Sequence, residues 1–367
     1  MKNTYQLRNH IPLGGAATRE PCRGDESPLR VSLGFTPRWY NTRLGIDFSR
    51  PWHEDPAYRY ESLVKIRRHL SETFPMVPYF ALEERDGVYP DCATISSVYG
   101  ILLISMLYGM KPVYCRDNWP DADPESRPTR EYLAALEPFD LENHPVIRNL
   151  LNQMDRIESL YGEIRGYLNY QGILNIAMKI RGQELFMDMF DDPDFVHHLC
   201  SHIADTIGRT ARLIQARQRR SGFDVDLLSM SNCVMSMVSP DQYEEFVLPL
   251  DQELSRAFPR FGIHTCNWVA DPYLDSLRKI EKTGYLDTGL NSDLPRIREM
   301  FPDARRAVLF MPSDVESLPL TELEGLIQKA AGQYAPCDLV LADMENTTPD
   351  SRIIEFFALA KKWEAKV

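Results

Sequence analysis

Residues 225–266 have the sequence VDLLSMSNCVMSMVSPDQYEEFVLPLDQELSRAFPRFGIHTC. Its first six residues and its last six, Phe261–Cys266, are short apolar runs typical of buried strands. Between them, a Ser-Pro-Asp start signal at 239–241 precedes the amphipathic run QYEEFVLPLDQEL, which predicts a helix. The stretch is therefore predicted to be one strand–helix–strand unit of a parallel sheet.

The same alternation extends in both directions along the chain. Downstream strands are predicted at 284–288, 306–311 and 338–342, and upstream strands at 31–35, near 89–95 and at 163–170. Together with the first two, these make eight, which favours an α/β fold of the (β/α)8 TIM-barrel class over a doubly wound sheet, because no GxGxxG follows the first strand. We expect an N-terminal arm at 1–28, one barrel domain at 29–367 and an inserted excursion at 117–144.

Composition excludes several classes of protein. The 367 residues include 41 basic and 53 acidic side chains, a net charge of −12 that argues against nucleic acid as a partner. No apolar run is long enough for a membrane span, and the first ten residues lack the apolar core of a secretion signal. Seven cysteines without framework spacing fit a reducing cytoplasm, so we expect a cytoplasmic protein that binds a small molecule.

In a TIM barrel, chemistry lies where the strands end at their carboxyl side. This rule selects a set of polar side chains that follow the predicted strands: Arg38, Arg43, Asp91, Asn169, Gln171, Asn232, His264, Cys266, Asp287, Asp343 and Glu345.

His264 and Cys266 are the most informative members of this set. Residues two apart in a strand share a face, so the imidazole and the thiol can reach one ion, and this pair of groups suits zinc. Asp287, on the next strand, is a candidate third ligand, and Asp343 or Glu345 a candidate fourth. The alternatives are a core cysteine beside a hydrogen-bonded histidine, and carboxylates that cap helices or form salt bridges.

The remaining residues of the set are candidates for substrate binding. Arg38 and Arg43 can hold a carboxylate, although a surface salt bridge is an equal alternative for Arg38. Asn169 and Gln171 can present amides to a substrate or tie loops together, and Asn232 can line a pocket or cap a helix.

The chain resembles the uroporphyrinogen decarboxylase superfamily, which includes the decarboxylase and corrinoid-linked methyltransferases. The resemblance runs from about Val31 to Trp363 and is carried by the segments Pro37-Arg38-Trp39, LYGMKPVY at 107–114, YQGIL at 170–174, MDMFDDP at 187–193, VSPDQYEEFVLP at 238–249 and GIHTC at 262–266.

The methyltransferase branch implies zinc held by a His-x-Cys pair, an acidic residue of the next strand and a late Cys. His264, Cys266 and Asp287 match the first three, and Ala342 occupies the position of the late Cys, so Asp343 or Glu345 would replace it. The resemblance implies a corrinoid as co-substrate on a partner protein. Methyl donor, acceptor and oligomeric state stay open.

The decarboxylase branch implies a metal-free reaction on a polycarboxylate, with arginines after the first strand and an aspartate beneath the substrate. Arg38, Arg43 and Asp91 are the matching candidates here, and the family's tyrosine and late histidine positions hold Met178 and Ala342. A barrel that binds its ligand without catalysis is the third alternative.

Overall fold

The computed structural model of the chain describes residues 27–367. The strands of this part are β1 (Leu29–Phe35), β2 (Pro112–Val113), β3 (Asp121–Ala122), β4 (Tyr170–Gln171), β5 (Leu227–Ser231), β6 (Arg260–His264), β7 (Thr283–Gly289), β8 (Arg305–Phe310) and β9 (Cys337–Met344). Seven of them form a parallel sheet in the order β1-β9-β8-β7-β6-β5-β4, and β2 pairs antiparallel with β3. The structure thus confirms the α/β class.

Helices follow the strands and cover the outside of the sheet. They are α1 (Pro37–Leu44), α2 (Arg50–Glu54), α3 (Pro56–Thr73), α4 (Leu103–Leu107), α5 (Arg130–Ala134), α6 (Pro145–Tyr161), α7 (Ile173–Arg181), α8 (Glu184–Asp191), α9 (Pro193–Arg220), α10 (Pro240–Phe246), α11 (Leu248–Ala257), α12 (Leu274–Leu277), α13 (Leu294–Met300), α14 (Pro312–Ser317), α15 (Leu320–Tyr334) and α16 (Asp350–Glu364). Many begin as the sequence predicts, since Pro occupies an early position and α10 carries a full capping box at Ser239 and Gln242.

The second strand position of the barrel departs from the prediction. The stretch 89–95 is no strand, because Pro90–Cys92 is a turn of 3-10 helix and only Thr94 forms a parallel bridge, with Arg165. On the other side of this gap, the hydroxyl of Tyr79 accepts a hydrogen bond from the backbone N–H of Leu33 and donates one to the carbonyl of Val31, each at 3.0 Å. The Tyr79 side chain therefore forms the hydrogen bonds at the edge of β1 that the predicted second strand would have formed.

Alternation along the strands separates an inner core from an outer one. A small cluster inside the ring of strands consists of Leu227, Tyr285, Ala307, Val340 and Ala342, whereas the other buried apolar residues of the sheet join the large core against the helices.

At the amino end of the strands, the interior holds a buried ion cluster. The guanidinium groups of Arg30 and Arg305 both donate to the carboxylate of Asp338, with Nε–O distances of 3.0 and 3.1 Å. Burial alone would raise the pKa of Asp338, but the two cations hold it well below its usual range. The candidate functional site lies at the opposite end of the barrel, where the strands end at their carboxyl side.

The arm expected at 1–28 lies outside the described residues except for its last two. The excursion expected at 117–144 contains β3, a 3-10 turn at Pro124–Ser126 and α5. None of the helices at 27–367 combines the length and apolar character needed to cross a bilayer.

Candidate metal centre

His264 is the last residue of β6, and Cys266 follows two residues later. Cys266 has φ +61, a left-handed conformation that is uncommon for a residue with a side chain. Its Sγ lies 3.0 Å from Nε2 of His264. The two groups do meet as the sequence predicts, but the strand ends before Cys266 and the turn, rather than the strand alternation, brings the thiol back to the ring.

A second thiol, which sequence reasoning missed, completes the centre. Cys233 begins a turn of 3-10 helix at Cys233–Met237, just after β5, and its Sγ lies 2.7 Å from that of Cys266. The pairing of β5 with β6 places Ser231 opposite His264, so Cys233 and Cys266 are each two residues past a paired position on neighbouring strands. The strand register is the signal that could have found Cys233.

Close packing holds the turn that carries Cys233. The amide oxygen of Asn175 accepts the backbone N–H of Val234 at 2.9 Å. Asn232 packs against Gly172 so closely that a Cβ at that glycine would lie 1.9 Å from the Asn232 amide oxygen. Glycine at 172 is therefore required by the approach of the β5 turn to the start of α7.

Asp287 fixes the orientation of the imidazole. It is fully buried on β7, and one carboxylate oxygen lies 2.5 Å from Nδ1 of His264 and accepts the hydroxyl of Tyr285 at 2.9 Å. The other oxygen accepts the backbone N–H of Thr265 at 2.8 Å. With Nδ1 engaged, Nε2 is the nitrogen that faces the thiols.

The pKa values of His264, Cys233 and Cys266 depend on the charges of their neighbours. Burial lowers the pKa of His264, but the carboxylate of Asp287 outweighs it and raises that pKa to about 9. The S–H of Cys266 stabilises a thiolate at Cys233, whose pKa falls to about 5 with further help from His264. The same contact raises the pKa of Cys266, because its ionisation would place a second anion beside the first.

Cys233, His264 and Cys266 fit a metal ion. Their ligand atoms lie within 4.8 Å of one another, and they are the one such group of three in the described residues. Two thiolates and one imidazole form a known ligand set for catalytic zinc, with a fourth position left to substrate. With zinc–donor bonds of about 2.0–2.3 Å, tetrahedral ligands lie roughly 3.5–3.8 Å apart, so the two thiols need to separate by about 1 Å.

The three carboxylates predicted as ligands lie elsewhere. Asp287 lies on the side of the imidazole away from the thiols, and both of its carboxylate oxygens accept hydrogen bonds. The prediction that it is a metal ligand is therefore wrong, and Asp287 is instead a hydrogen-bond partner of His264. Asp343 and Glu345 also fall outside the group of three. Asp343 has a left-handed backbone conformation, and desolvation of its carboxyl, with a contribution from Glu345, raises its pKa despite the opposing effect of His264.

The two predicted carboxylate-binding arginines are already paired. Arg38 is exposed and contacts Asp117 at 3.2 Å. Arg43 donates to Asp350 at 2.8 Å, and its guanidinium lies 4.0 Å from the ring centroid of Trp39.

Among the other predicted substrate-binding residues, Asp91 is at the wrong end of the barrel. It precedes the bridge at Thr94 and pairs with Arg165 at 2.5 Å, at the start of the third strand position. The expectation that it follows the second strand is wrong, because no regular strand precedes it.

Of the predicted amides, Asn169 directly precedes β4, Gln171 is the last residue of β4, and Asn232 directly follows β5. Asn169 accepts the hydroxyl of Ser231 at 3.3 Å, and Gln171 accepts the side-chain amide of Asn175 at 2.8 Å. Asn232 is buried beside Cys233, and its amide nitrogen has no hydrogen-bond partner in the described structure.

Fold and site together define a barrel in which two thiols and one imidazole at the carboxyl ends of the strands form a group that fits a metal ion. The sequence model of the uroporphyrinogen decarboxylase (URO-D) family matches residues 85–296, more than half of the chain. The chain belongs to this family. No curated protein matches the chain significantly.

Solved structures support the same fold. A methyltransferase from Methanosarcina mazei superposes with a TM-score of 0.65 over 92% of this chain and 94% of its own, at 14% sequence identity. At this identity the likeness shows the TIM-barrel fold that the two chains share.

Proposed function

We propose that the protein is a zinc-dependent methyltransferase that moves a methyl group from a corrinoid, carried by a partner protein, to a small thiol. The observation that carries this proposal is the convergence of Cys233, His264 and Cys266 at the carboxyl ends of the strands. The family match and the methyltransferase neighbour support it. We further propose one barrel domain at 29–367 working in the cytoplasm, where a reducing environment keeps the two thiols available.

The protein's own residues prepare the site for metal. Asp287 holds Nδ1 of His264, so that Nε2 presents its lone pair once its proton leaves. Cys233 and Cys266 bind as thiolates and release their remaining proton on metal binding. Zinc, when bound, supplies Lewis-acid stabilisation of the acceptor thiol as its anion at neutral pH.

The transfer itself needs an in-line approach of the acceptor sulfur to the methyl carbon. The sulfur provides the electron pair of the new S–C bond, and the cobalt–carbon bond breaks with its electron pair left on cobalt. Asn232, with an unpartnered amide beside Cys233, is a candidate to orient the acceptor.

A decarboxylase reaction on a polycarboxylate is less well supported. It needs cations free to bind several carboxylates, whereas Arg38 and Arg43 are engaged with Asp117 and Asp350. Asp91, which that reaction would place beneath the substrate, lies at the amino end of the strands. The barrel without catalysis stays the alternative if no turnover is found.

The test is methyl transfer from free methylcobalamin to small thiols by the zinc-loaded protein, followed by cobalamin absorbance and thioether formation. We expect thiol-dependent loss of methylcobalamin that disappears in Cys266→Ser and persists in the control Arg38→Ala. Absence of turnover with a panel of thiols, combined with carbon dioxide release from a porphyrinogen, would establish the decarboxylase alternative instead.

A further inference from the structure

The two thiols of the metal centre are also placed to react with each other. The Sγ atoms of Cys233 and Cys266 are 2.7 Å apart, about 0.65 Å more than a disulfide bond of roughly 2.05 Å. Both residues are partly exposed and both are free thiols. They come from neighbouring strand ends 33 residues apart in the chain, so their contact belongs to the folded state.

We propose that Cys233 and Cys266 form a reversible disulfide when the centre holds no metal, and that this bond prevents zinc binding. The consequence for zinc rests on the proposed function, whereas disulfide formation does not. The barrel mouth would then act as a redox-sensitive modification site for peroxides.

The chemistry balances with hydrogen peroxide as oxidant. One thiol ionises, its thiolate attacks a peroxide oxygen, and the O–O bond breaks to give a sulfenic acid and hydroxide, which takes up the proton that the thiol released and becomes water. The second thiol attacks the sulfenic sulfur and expels hydroxide, which takes up the thiol proton as water. Two thiols lose two electrons and two protons, and one peroxide becomes two waters.

The other described cysteines are poor competitors. Cys92, Cys200 and Cys337 are buried, and burial raises the pKa of each to about 12, which leaves little thiolate at neutral pH. Cys115 is partly exposed, but it has no second thiol beside it among the described contacts. Cys115→Ser is therefore the matched control.

Metal and disulfide exclude each other because both use the same sulfur atoms. A disulfide leaves His264 as the one remaining ligand of the three, and a single imidazole holds zinc weakly. In the loaded protein, both sulfurs would be occupied, so zinc is expected to slow their oxidation at least tenfold.

The experiment treats the chelator-stripped full-length protein with a small excess of hydrogen peroxide. We expect a mass loss of about 2 Da for one new disulfide, a non-reduced peptide linking Cys233 to Cys266, and recovery by dithiothreitol. Cys233→Ser and Cys266→Ser should lack the linked peptide, and Cys115→Ser should retain it. Zinc binding, followed by competition with a chromophoric chelator, should fall at least a hundredfold on oxidation.

Two results would overturn the inference. One is a peroxide-treated protein in which Cys233 and Cys266 remain alkylatable while Cys115 is oxidised. The other is a protein that carries the linked peptide and still binds zinc as tightly as the reduced form. If the reduced protein binds no zinc, the proposed zinc-dependent function is wrong. The presence or absence of the linked peptide then tests disulfide formation by itself.

Discussion

The carboxylate of Asp287 lies 2.5 Å from Nδ1 of His264, while Nε2 of the same ring faces the thiol of Cys266 at 3.0 Å. A buried carboxylate behind a histidine and sulfur ligands in front of it form the arrangement that orients imidazole toward a metal. We therefore propose Asp287 as a positioning residue for the centre.

Replacing Asp287 by Asn should weaken zinc binding about 10- to 100-fold, because an amide does not support the Nδ1–H of His264 as a carboxylate does. The measurement is competition with a chromophoric chelator at fixed pH. Glu345→Gln is the matched control, since that carboxylate was predicted as a ligand and lies outside the group of three. A larger loss in Glu345→Gln than in Asp287→Asn would reverse the assignment.

Cys233→Ser should remove one of two sulfur ligands. In the cobalt-substituted protein, we expect the sulfur-to-cobalt absorption in the near ultraviolet to fall by about half, because its intensity scales with the number of thiolates. Cys115→Ser should leave the spectrum unchanged. An unchanged spectrum in Cys233→Ser would show that this thiol is no ligand.

Gly172→Ala tests the packing that presents Cys233. The added Cβ would lie 1.9 Å from the amide oxygen of Asn232 and 2.9 Å from the carbonyl of Ser231, so the β5 turn must shift. We expect a lower melting temperature and weaker zinc binding. The control is Gly325→Ala within α15, where a Cβ meets nothing within 4 Å and helix propensity should add about 0.5–1 kcal/mol.

Asp251 gives a pH-dependent prediction away from the site. Its carboxyl is buried in α11 beside the hydroxyl of Tyr243, 2.7 Å away, and burial raises its pKa to about 7. Because the native pKa exceeds the unfolded value of about 3.9, the free energy of unfolding falls as the pH rises from about 4 to 7 and then levels off.

Asp251→Asn should therefore be more stable than the parent at pH 8, by a few kcal/mol at most, with the difference shrinking toward pH 4. Urea unfolding at several pH values checks this. Asp303→Asn, at an exposed carboxyl, should change stability little at any pH. A pH-independent difference for Asp251→Asn would contradict the elevated pKa.

Much of the barrel was accessible from the sequence because strand and helix signals alternate clearly after residue 225. All five strands predicted there overlap strands of the structure, β5 to β9. The prediction of a strand at the second position was wrong, because Pro90–Cys92 forms a 3-10 turn within it and the hydroxyl of Tyr79 hydrogen-bonds to the edge of β1 instead. Hydrophobic periodicity does not indicate that a single side chain takes the place of a strand.

The sequence predicts only part of the candidate site. His264 and Cys266 follow from their spacing, but Cys233 lies in a loop whose course depends on the packing of Asn232 against Gly172. Asp287 was placed on the correct strand with the wrong role, because sequence does not distinguish a carboxylate in front of the metal from one behind the histidine.

The most direct test of the central claim is X-ray absorption of the zinc-loaded protein at the zinc edge, with and without an acceptor thiol. We predict two sulfur ligands and one imidazole nitrogen in the resting protein, with a third sulfur when the thiol is added. A single sulfur in the resting protein, or a sulfur count that the thiol leaves unchanged, would contradict the account.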